Sequence, residues 1–567
     1  MSIRTASAPI DGVVPWPEEL ASTYRTNGYW QGRSLGSYIA AQVAAKPDNE
    51  ALSDGAERLT YKQLWDRSGA IAQYLLDQSV VPGERVLLQL PNCWEFVALT
   101  LGCFRVGIIP VMALPAHRRH ELTHLARLSD SVALFVSDTD RDTDLRAVAQ
   151  QVATDAPSVR KVFVYGELTV DPDSSGVPEY PLLPGFDTAA HVDTADLEPN
   201  GSDVACLLLS GGTTGLPKLI VRTHDDYAYN VRACNAVSEF DERTVYLGTL
   251  PSSHNFPLAC PGILGALFVG ARAVMLRSPA AERALRTINA ESVTVAAVVP
   301  AVAQSWIEYQ RDHHVLTGSS LKVLQVGGSR MPDELAARVE PVLGARLQQV
   351  FGMAEGLINM TRLDDQPEVI LGTQGRPVSE ADEILVVDEF GEPVADGTPG
   401  ALLTRGPYTP RGYFRAPEHN KKSFTPDGFY GSGDIVIRRP DGNLVVAGRD
   451  KDMINRGGEK ISAEEIENFA YQLDGVEMAA AIAMPDPVLG ERLCLYVTVV
   501  PGHSVELADV ISVMNSAGVA RFKLPERLEV VDSIPTTKVG KIDKKAIRED
   551  ISQRLARERG HDEGGRR

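Results

Sequence analysis

The chain has 567 residues, 44% apolar and 23% charged, and its 56 Lys and Arg stand against 75 Asp and Glu for a net charge of −19. A single hydrophobic core stops growing at roughly 250–300 residues, so two or more domains are required, and the ordinary apolar fraction excludes a largely disordered or collagen-like chain. The acidic balance argues against a general nucleic-acid binder.

From the amino terminus, Met1 to Pro17 lacks a basic region followed by an apolar stretch, so no secretory signal is expected. Short Val- and Leu-rich runs at Arg85 to Gln89, Val132 to Val136, Lys161 to Tyr165, Val204 to Leu209 and Leu321 to Val326 read as strands. Amphipathic stretches such as Tyr61 to Ser79 and Pro332 to Leu343 read as helices between them. This alternation predicts an α/β fold with parallel sheets covered by helices on both faces. The Pro-, Asp- and Ser-rich stretch Asp171 to Asp203 reads as a surface connection. The most apolar window, Leu258 to Leu276, contains Pro261, three glycines and Arg272, so it is expected to be a buried helix running into a strand and not a membrane span. After about Glu380, short pieces separated by turns such as Pro440-Asp441-Gly442 predict a small antiparallel β-unit. A polar break at Gly448 to Lys451 precedes a compact α+β domain, and Arg559 to Arg567, with almost no apolar residue, is expected to be disordered. The expected domains are therefore 1–447 and 448–567. The six cysteines are scattered without CxxC spacing and read as free thiols of a reducing, cytoplasmic setting.

The sharpest local signal is Ser210-Gly211-Gly212-Thr213-Thr214-Gly215-Leu216-Pro217-Lys218, directly after an apolar strand. Glycines free the backbone N–H groups to approach phosphate oxygens, and the hydroxyls and ammonium add donors. A P-loop is excluded, because its lysine directly follows the last glycine, whereas Lys218 lies three residues beyond Gly215. The segment resembles the signature of the adenylate-forming superfamily, which includes acyl-CoA synthetases, luciferases and peptide-synthetase adenylation domains. Four further stretches follow in that superfamily's order. They are Phe351-Gly352-Met353-Ala354-Glu355-Gly356, Tyr430-Gly431-Ser432-Gly433-Asp434, Gly448-Arg449-Asp450-Lys451-Asp452 and Pro535-Thr536-Thr537-Lys538-Val539-Gly540-Lys541. Ser432 stands where the third motif usually has Thr and keeps the hydroxyl.

The resemblance implies a large N-terminal body of layered sheets and helices (αβαβα) and a small mobile C-terminal lid. It also implies ATP and Mg²⁺ as cofactors. Joining a carboxylate to the α-phosphorus of ATP brings anions together, so positive charge must sit where negative charge accumulates. By resemblance, Glu355 and Thr214 help hold Mg²⁺, and Ser210, Gly211, Thr213, Thr214 and Lys218 attend the phosphates. Lys541 bridges the attacking carboxylate and the phosphate. Asp434 takes the ribose hydroxyls with Arg449 nearby, and Gly327, Gly328, Val350, Phe351 and Gly352 surround the adenine. Lys451 matches the hinge, and Gly457 and Gly458 fall where a pantetheine channel is lined.

The segment His254-Asn255-Phe256-Pro257-Leu258, followed by Cys260, resembles the stand-alone aryl acid adenylating enzymes of siderophore biosynthesis. No Asp occurs from Leu247 to Arg277 to pair an α-ammonium, which disfavours an amino acid. In that family His254 joins Glu355 and Lys541 among the catalytic residues. Asn255 hydrogen-bonds the acid's carboxylate or ortho hydroxyl, Phe256 packs on the ring, and Cys260, Ser329, Ala354 and Ile358 complete the pocket. Cys at position 260 and a residue larger than Val at position 358 lean to salicylate over 2,3-dihydroxybenzoate, since a buried hydroxyl without a partner costs roughly 1–3 kcal/mol. The expected reaction is activation of the aryl acid to aryl-AMP with release of pyrophosphate, then transfer to the phosphopantetheine thiol of an aryl carrier protein. No carrier domain follows in this sequence, so that partner is expected in trans. The alternatives are 2,3-dihydroxybenzoate as the acid, or an acyl-CoA ligase.

Overall fold

A computed structural model describes residues 9–55, 57–140, 143–168, 177–182, 197–210, 216–328, 330–331, 333–388, 390–449, 453–535 and 542–564. The chain divides into two compact units, one carried by most of the sequence up to Gly448 and the other by Arg449 onward together with the short stretches Ala116–Glu121 and Gly211–Pro217.

The first unit holds a nine-stranded and a seven-stranded sheet, each parallel at its centre. In the larger sheet, Arg346–Gly352, Val323–Val326, Val295–Val298, Val245–Gly248, Arg272–Met275 and Glu50–Ser53 run side by side. In the smaller, Lys218–Thr223 and Val204–Ser210 form an antiparallel edge beside Ile109–Met112, Arg85–Gln89, Ala133–Ser137 and Lys161–Tyr165. Strand side chains alternate between faces, and this alternation sorts the core into layers. Val86 and Leu88 join Ala273 and Met275 in one central core, together with the helices Tyr61–Asp77, Trp94–Val106 and His224–Ser238. Leu87 turns instead to an outer core with the helices Arg119–Ser129 and Leu145–Asp155. Val274 turns to another outer core with Ala281–Ala290, Pro300–His313 and Asp333–Leu343. The order is thus helices, sheet, helices, sheet, helices, the expected αβαβα body.

Local chemistry starts several of these helices. Thr60 and Gln63 form a capping box at the head of Tyr61–Asp77, and Thr223 and Asp226 form one at the head of His224–Ser238. The apolar window around Leu258 to Leu276 folds as expected, with helix Gly262–Phe268 leading into strand Arg272–Met275. A four-stranded sheet of Glu383–Val387, Pro399–Arg405, Tyr430–Arg438 and Leu444–Arg449 supplies the antiparallel unit.

The second unit is α+β. Val476–Asp486 and Gly490–Val499 form a long antiparallel pair, with Met453–Arg456, Glu459–Ser462 and Arg527–Val530 completing the sheet. Ala479 and Ala481 pack toward Ala463–Ala470 and Leu507–Ser516, whereas Ala480 and Ile482 pack toward Ile547 and Ile551 of Lys544–Gly564.

Two expectations are corrected. The stretch taken as a connection contains the strand Glu179–Pro181, which extends the seven-stranded sheet by pairing with Lys161–Tyr165. Three residues around a proline carry no readable period, and the neighbouring strand decides their conformation. The terminal helix Lys544–Gly564 runs into the segment expected to be disordered. Ahead of that segment the helix is tied by ion pairs, with Arg527 forking onto Glu558 at 2.6 and 2.9 Å and Arg554 bonding Asp550 at 2.7 Å. All six cysteines are buried and unpaired. Among the described residues, no helix is long and apolar enough to cross a membrane.

Candidate active site

The glycine-rich loop leaves one strand and re-enters the next. Ser210 closes Val204–Ser210, Lys218 opens Lys218–Thr223, and the two residues stand directly opposite in the antiparallel register. Gly211, Thr213 and Thr214 lie outside the described residues. Both ends of the loop are buried, and the Lys218 ammonium stands 4.6 Å over the ring of Tyr413.

Tyr413 is the organising side chain of this end of the site. Its hydroxyl donates to Glu355 Oε1 at 2.9 Å and shares a 3.1 Å hydrogen bond with the hydroxyl of Tyr430. Burial, with the Glu355 charge adding to it, holds both phenols well above their usual range, so they serve as neutral donors. The Tyr413 backbone is clamped in turn by Asn420, whose Oδ1 accepts from the Tyr413 N–H at 2.8 Å and whose Nδ2 donates to its carbonyl at 3.0 Å. From Tyr430 the strand Tyr430–Arg438 carries on to Asp434, which is also buried. Ser432 Oγ accepts from the Asp434 N–H at 3.1 Å, a bond the Ser-for-Thr change preserves. Arg449 closes strand Leu444–Arg449.

Gly327 and Gly328 follow strand Val323–Val326, and the Gly327 N–H donates to the Val298 carbonyl at 3.1 Å. A side chain at Gly327 is excluded by close approach. Its Cβ would lie 2.9 Å from the Val350 carbonyl oxygen and 3.1 Å from two ring carbons of Phe256. A flat ring can therefore lie against this backbone only because no Cβ is there. Gly352 is similarly confined, with its Cβ position 3.1 Å from the Leu357 carbonyl and 3.2 Å from Ile358 Cγ1. Ser329 lies outside the described residues.

Phe256 joins this backbone to the region expected to take the acid. His254 caps the short helix Asn255–Ala259, its Nδ1 accepting from the Phe256 N–H at 3.4 Å, and the residue is exposed. Behind it, Asn255 and Cys260 are buried. Asn255 Nδ2 donates to Cys260 Sγ at 3.3 Å, while Asn255 Oδ1 accepts from the Tyr227 hydroxyl at 2.9 Å. Ile358 is buried at the start of strand Ile358–Met360. The Tyr408 hydroxyl accepts from the Ile358 N–H at 3.3 Å and donates to Asp382.

Beneath both ends lies a fully buried ion pair. Arg222 Nε bonds Asp226 Oδ1 at 2.6 Å, and Arg222 Nη1 donates to the carbonyl of Ala354 at 3.0 Å, one residue before Glu355. The same guanidinium stands 4.7 Å over the ring of Tyr227. Tyr413, Tyr227 and this pair were not anticipated from the sequence. Thr409-Pro410-Arg411-Gly412-Tyr413 was a signal for the first of them, while Arg222, in strand Lys218–Thr223, and Asp226, in the first turn of helix His224–Ser238, fall in no motif that pairs them.

Lys541 and Lys451 lie outside the described residues. Gly457 and Gly458, both with positive φ, form the turn between Met453–Arg456 and Glu459–Ser462, and the Gly457 N–H donates to the Leu489 carbonyl at 2.9 Å. Among the described residues, no group of three or more His, Cys, Asp or Glu side chains could hold a metal ion. A single carboxylate nevertheless suits Mg²⁺, which is usually held by one or two carboxylates together with the phosphates of a nucleotide. The donor set around Glu355 fits that chemistry.

Comparison with known proteins matches the AMP-binding enzyme family over residues 39–414 and the AMP-binding enzyme C-terminal domain over residues 465–541. The chain belongs to this family of AMP-binding, ATP-using adenylating enzymes. Within it, the chain is 53% identical to a salicylyl-CoA synthase / salicylate adenylyltransferase of a Streptomyces species, over 95% of this chain and 98% of the relative. It is 44% identical to the salicyl-AMP ligase / salicyl-S-ArCP synthetase of Mycobacterium tuberculosis, over 95% and 94%. Among solved structures, apo MbtA of Mycobacterium smegmatis matches with a TM-score of 0.71 and 43% identity, over 95% of this chain and 98% of that one. The chain is thus similar along nearly its whole length to stand-alone aryl acid adenylating enzymes.

Proposed function

We propose that this protein activates salicylate with ATP to salicyl-AMP, releasing pyrophosphate, and passes the acyl group to the phosphopantetheine thiol of an aryl carrier protein supplied in trans, in siderophore biosynthesis. The observation that carries the reading is the buried cluster of Asn255, Phe256 and Cys260. It offers a ring-stacking face and neutral polar groups, with no carboxylate for an amino group. The reading places the reaction in the cytoplasm, which the six unpaired cysteines support.

In this reading Phe256 and Gly327 hold the acid's ring and the adenine in adjoining slots. Asp434 takes the ribose hydroxyls, with Arg449 as a nearby donor. Lys218 and the loop hydroxyls face the phosphates, and Tyr413 fixes Glu355 beside them. Glu355 and Thr214 would hold Mg²⁺, which supplies charge neutralisation at the phosphates when bound. Lys541 brings the attacking carboxylate oxygen to the α-phosphorus, the P–O bond to pyrophosphate breaks, and His254 at the mouth orders the entering groups. For the second half-reaction the small domain turns about Lys451, and Gly457 and Gly458 line the path of the thiol.

Acid-dependent ATP–pyrophosphate exchange across a panel of benzoates tests reaction and acid together. Salicylate is expected to give the highest kcat/KM, and a preference for 2,3-dihydroxybenzoate or for a non-hydroxylated acid would replace it as substrate. A second reading, release of a soluble CoA thioester, is favoured by the name of the 53% identical relative. Comparing free CoA with a phosphopantetheinylated carrier as acceptor separates the two.

A further inference from the structure

The hydroxyl of Tyr227 has no role in the reading above, yet its surroundings dictate how Asn255 must be oriented. Tyr227 sits on helix His224–Ser238 with no exposed surface, and its ring lies under the Arg222 guanidinium. Burial holds the phenol well above its usual range, so it keeps its proton at every working pH. A buried O–H needs an acceptor, and the neighbouring guanidinium offers only donors. The acceptor is Asn255 Oδ1 at 2.9 Å.

That bond settles the amide. With Oδ1 turned to Tyr227, the NH₂ end faces the other way, and one of its hydrogens goes to Cys260 Sγ at 3.3 Å. An amide nitrogen carries two hydrogens, and among the described residues the second is used by no hydrogen bond of Asn255. With its oxygen engaged by Tyr227, what Asn255 has left to offer a ligand is a donor and not an acceptor.

From this we infer that Tyr227 is a positioning residue that sets the polarity of the acid pocket, so that it selects aryl acids with a hydrogen-bond acceptor ortho to the carboxylate and rejects those with an ortho donor. The inference rests on the aryl acid reading above and deepens it. In salicylate the phenolic proton is held by the neighbouring carboxylate, which leaves the phenolic lone pairs to accept from Asn255 Nδ2. In 2-aminobenzoate one N–H is held by the carboxylate and the other meets the Asn255 N–H head on. The two acids have nearly the same size, so packing alone cannot separate them.

The test compares native enzyme with Tyr227→Phe, using pyrophosphate exchange with salicylate and with 2-aminobenzoate. Removing the hydroxyl releases the amide to turn over, so the salicylate to 2-aminobenzoate ratio of kcat/KM is expected to fall about tenfold, the scale of one hydrogen bond gained or lost. The change should appear in KM for the acid, with KM for ATP unaltered. In an Asn255→Ala background the same Tyr227→Phe change should leave the ratio where it is. Equal losses for both acids, or the same shift with and without Asn255, would overturn the assignment and leave Tyr227 as packing. Native enzyme that exchanges pyrophosphate with no aryl acid at all would overturn the proposed function itself, and this inference with it. Active enzyme with an unchanged ratio would overturn only the role of Tyr227.

Discussion

The two ends of the candidate site are built on opposite electrostatic plans. The end assigned to the phosphates gathers formal charges, with Lys218 over the ring of Tyr413, Glu355 accepting from the Tyr413 hydroxyl, and the buried Asp434 on the strand that begins at Tyr430. The end assigned to the acid is neutral where the described residues Asn255, Tyr227 and Cys260 exchange hydrogen bonds. Every carboxylic acid presents the same reacting group to ATP, so the charged end can be common to many enzymes. Which acid enters depends on single atoms, and single atoms discriminate best where burial denies a mismatched group its water. The buried Arg222–Asp226 pair lies under both ends, reaching Ala354 on one side and Tyr227 on the other.

This contrast can be broken or sharpened by experiment. The largest effect is expected at the charged end, from Lys541→Ala. Acid-dependent exchange should fall by about 10²–10³-fold, the scale of losing one group aimed at developing charge, while thioester formation from premade salicyl-AMP is spared. Normal exchange in that variant would remove Lys541 from adenylation. Gly327→Ala probes the seam between the ends. Its Cβ would meet a backbone carbonyl at 2.9 Å and the Phe256 ring at 3.1 Å, an overpacking of about 1–3 kcal/mol. KM for ATP and KM for the acid should therefore rise together, by about tenfold or more. A rise in one alone would mean that the two slots do not share this wall.

Cys260→Ser stays within the neutral end. Serine can accept from Asn255 Nδ2 and still donate to a 3-hydroxyl, so the ratio of 2,3-dihydroxybenzoate to salicylate turnover should rise by about tenfold. An unchanged ratio would reduce Cys260 to packing. The smallest effect concerns Asp382, which supports Ile358 through Tyr408. Burial pushes its carboxyl up to about 8, against the opposing pull of the Tyr408 hydroxyl. Unfolded, the group releases its proton near its ordinary 3.8. Between about pH 4 and 8 the folded state thus holds one more proton than the unfolded state, so stability falls as pH rises through this window and levels off above it. Asp382→Asn removes the titration. The melting temperature of the native chain should fall relative to this variant from pH 4 to 8, and parallel curves would show that Asp382 is ionised in the fold.

Much of the layered body was legible because buried parallel strands are short apolar runs bounded by turn residues. The strand at Val204–Ser210, the helix and strand after Pro261 and the glycine pair after Val326 all fall where the pattern predicts. Glu179–Pro181 was illegible because its conformation comes from the edge it joins. The terminal helix was misread because composition registers missing apolar residues but not that the segment continues a helix already anchored through the buried Ile547 and Ile551.

The site divides along the same line. Sequence by itself determined the reaction class through resemblance, because five short continuous motifs stand in the order of the adenylate-forming superfamily and carry the glycines, hydroxyls, lysines and carboxylates that phosphate chemistry uses. The same resemblance narrowed the acid, to an aryl acid through the segment from His254 to Leu258 and toward salicylate through Cys260 and Ile358. Only the tertiary structure decided what those residues present to a ligand. Tyr413 lies 58 positions from the Glu355 it orients, and Tyr227 lies 28 positions from Asn255. The direction of a buried hydrogen bond depends on which donors and acceptors folding brings within 3 Å, and no local pattern encodes that.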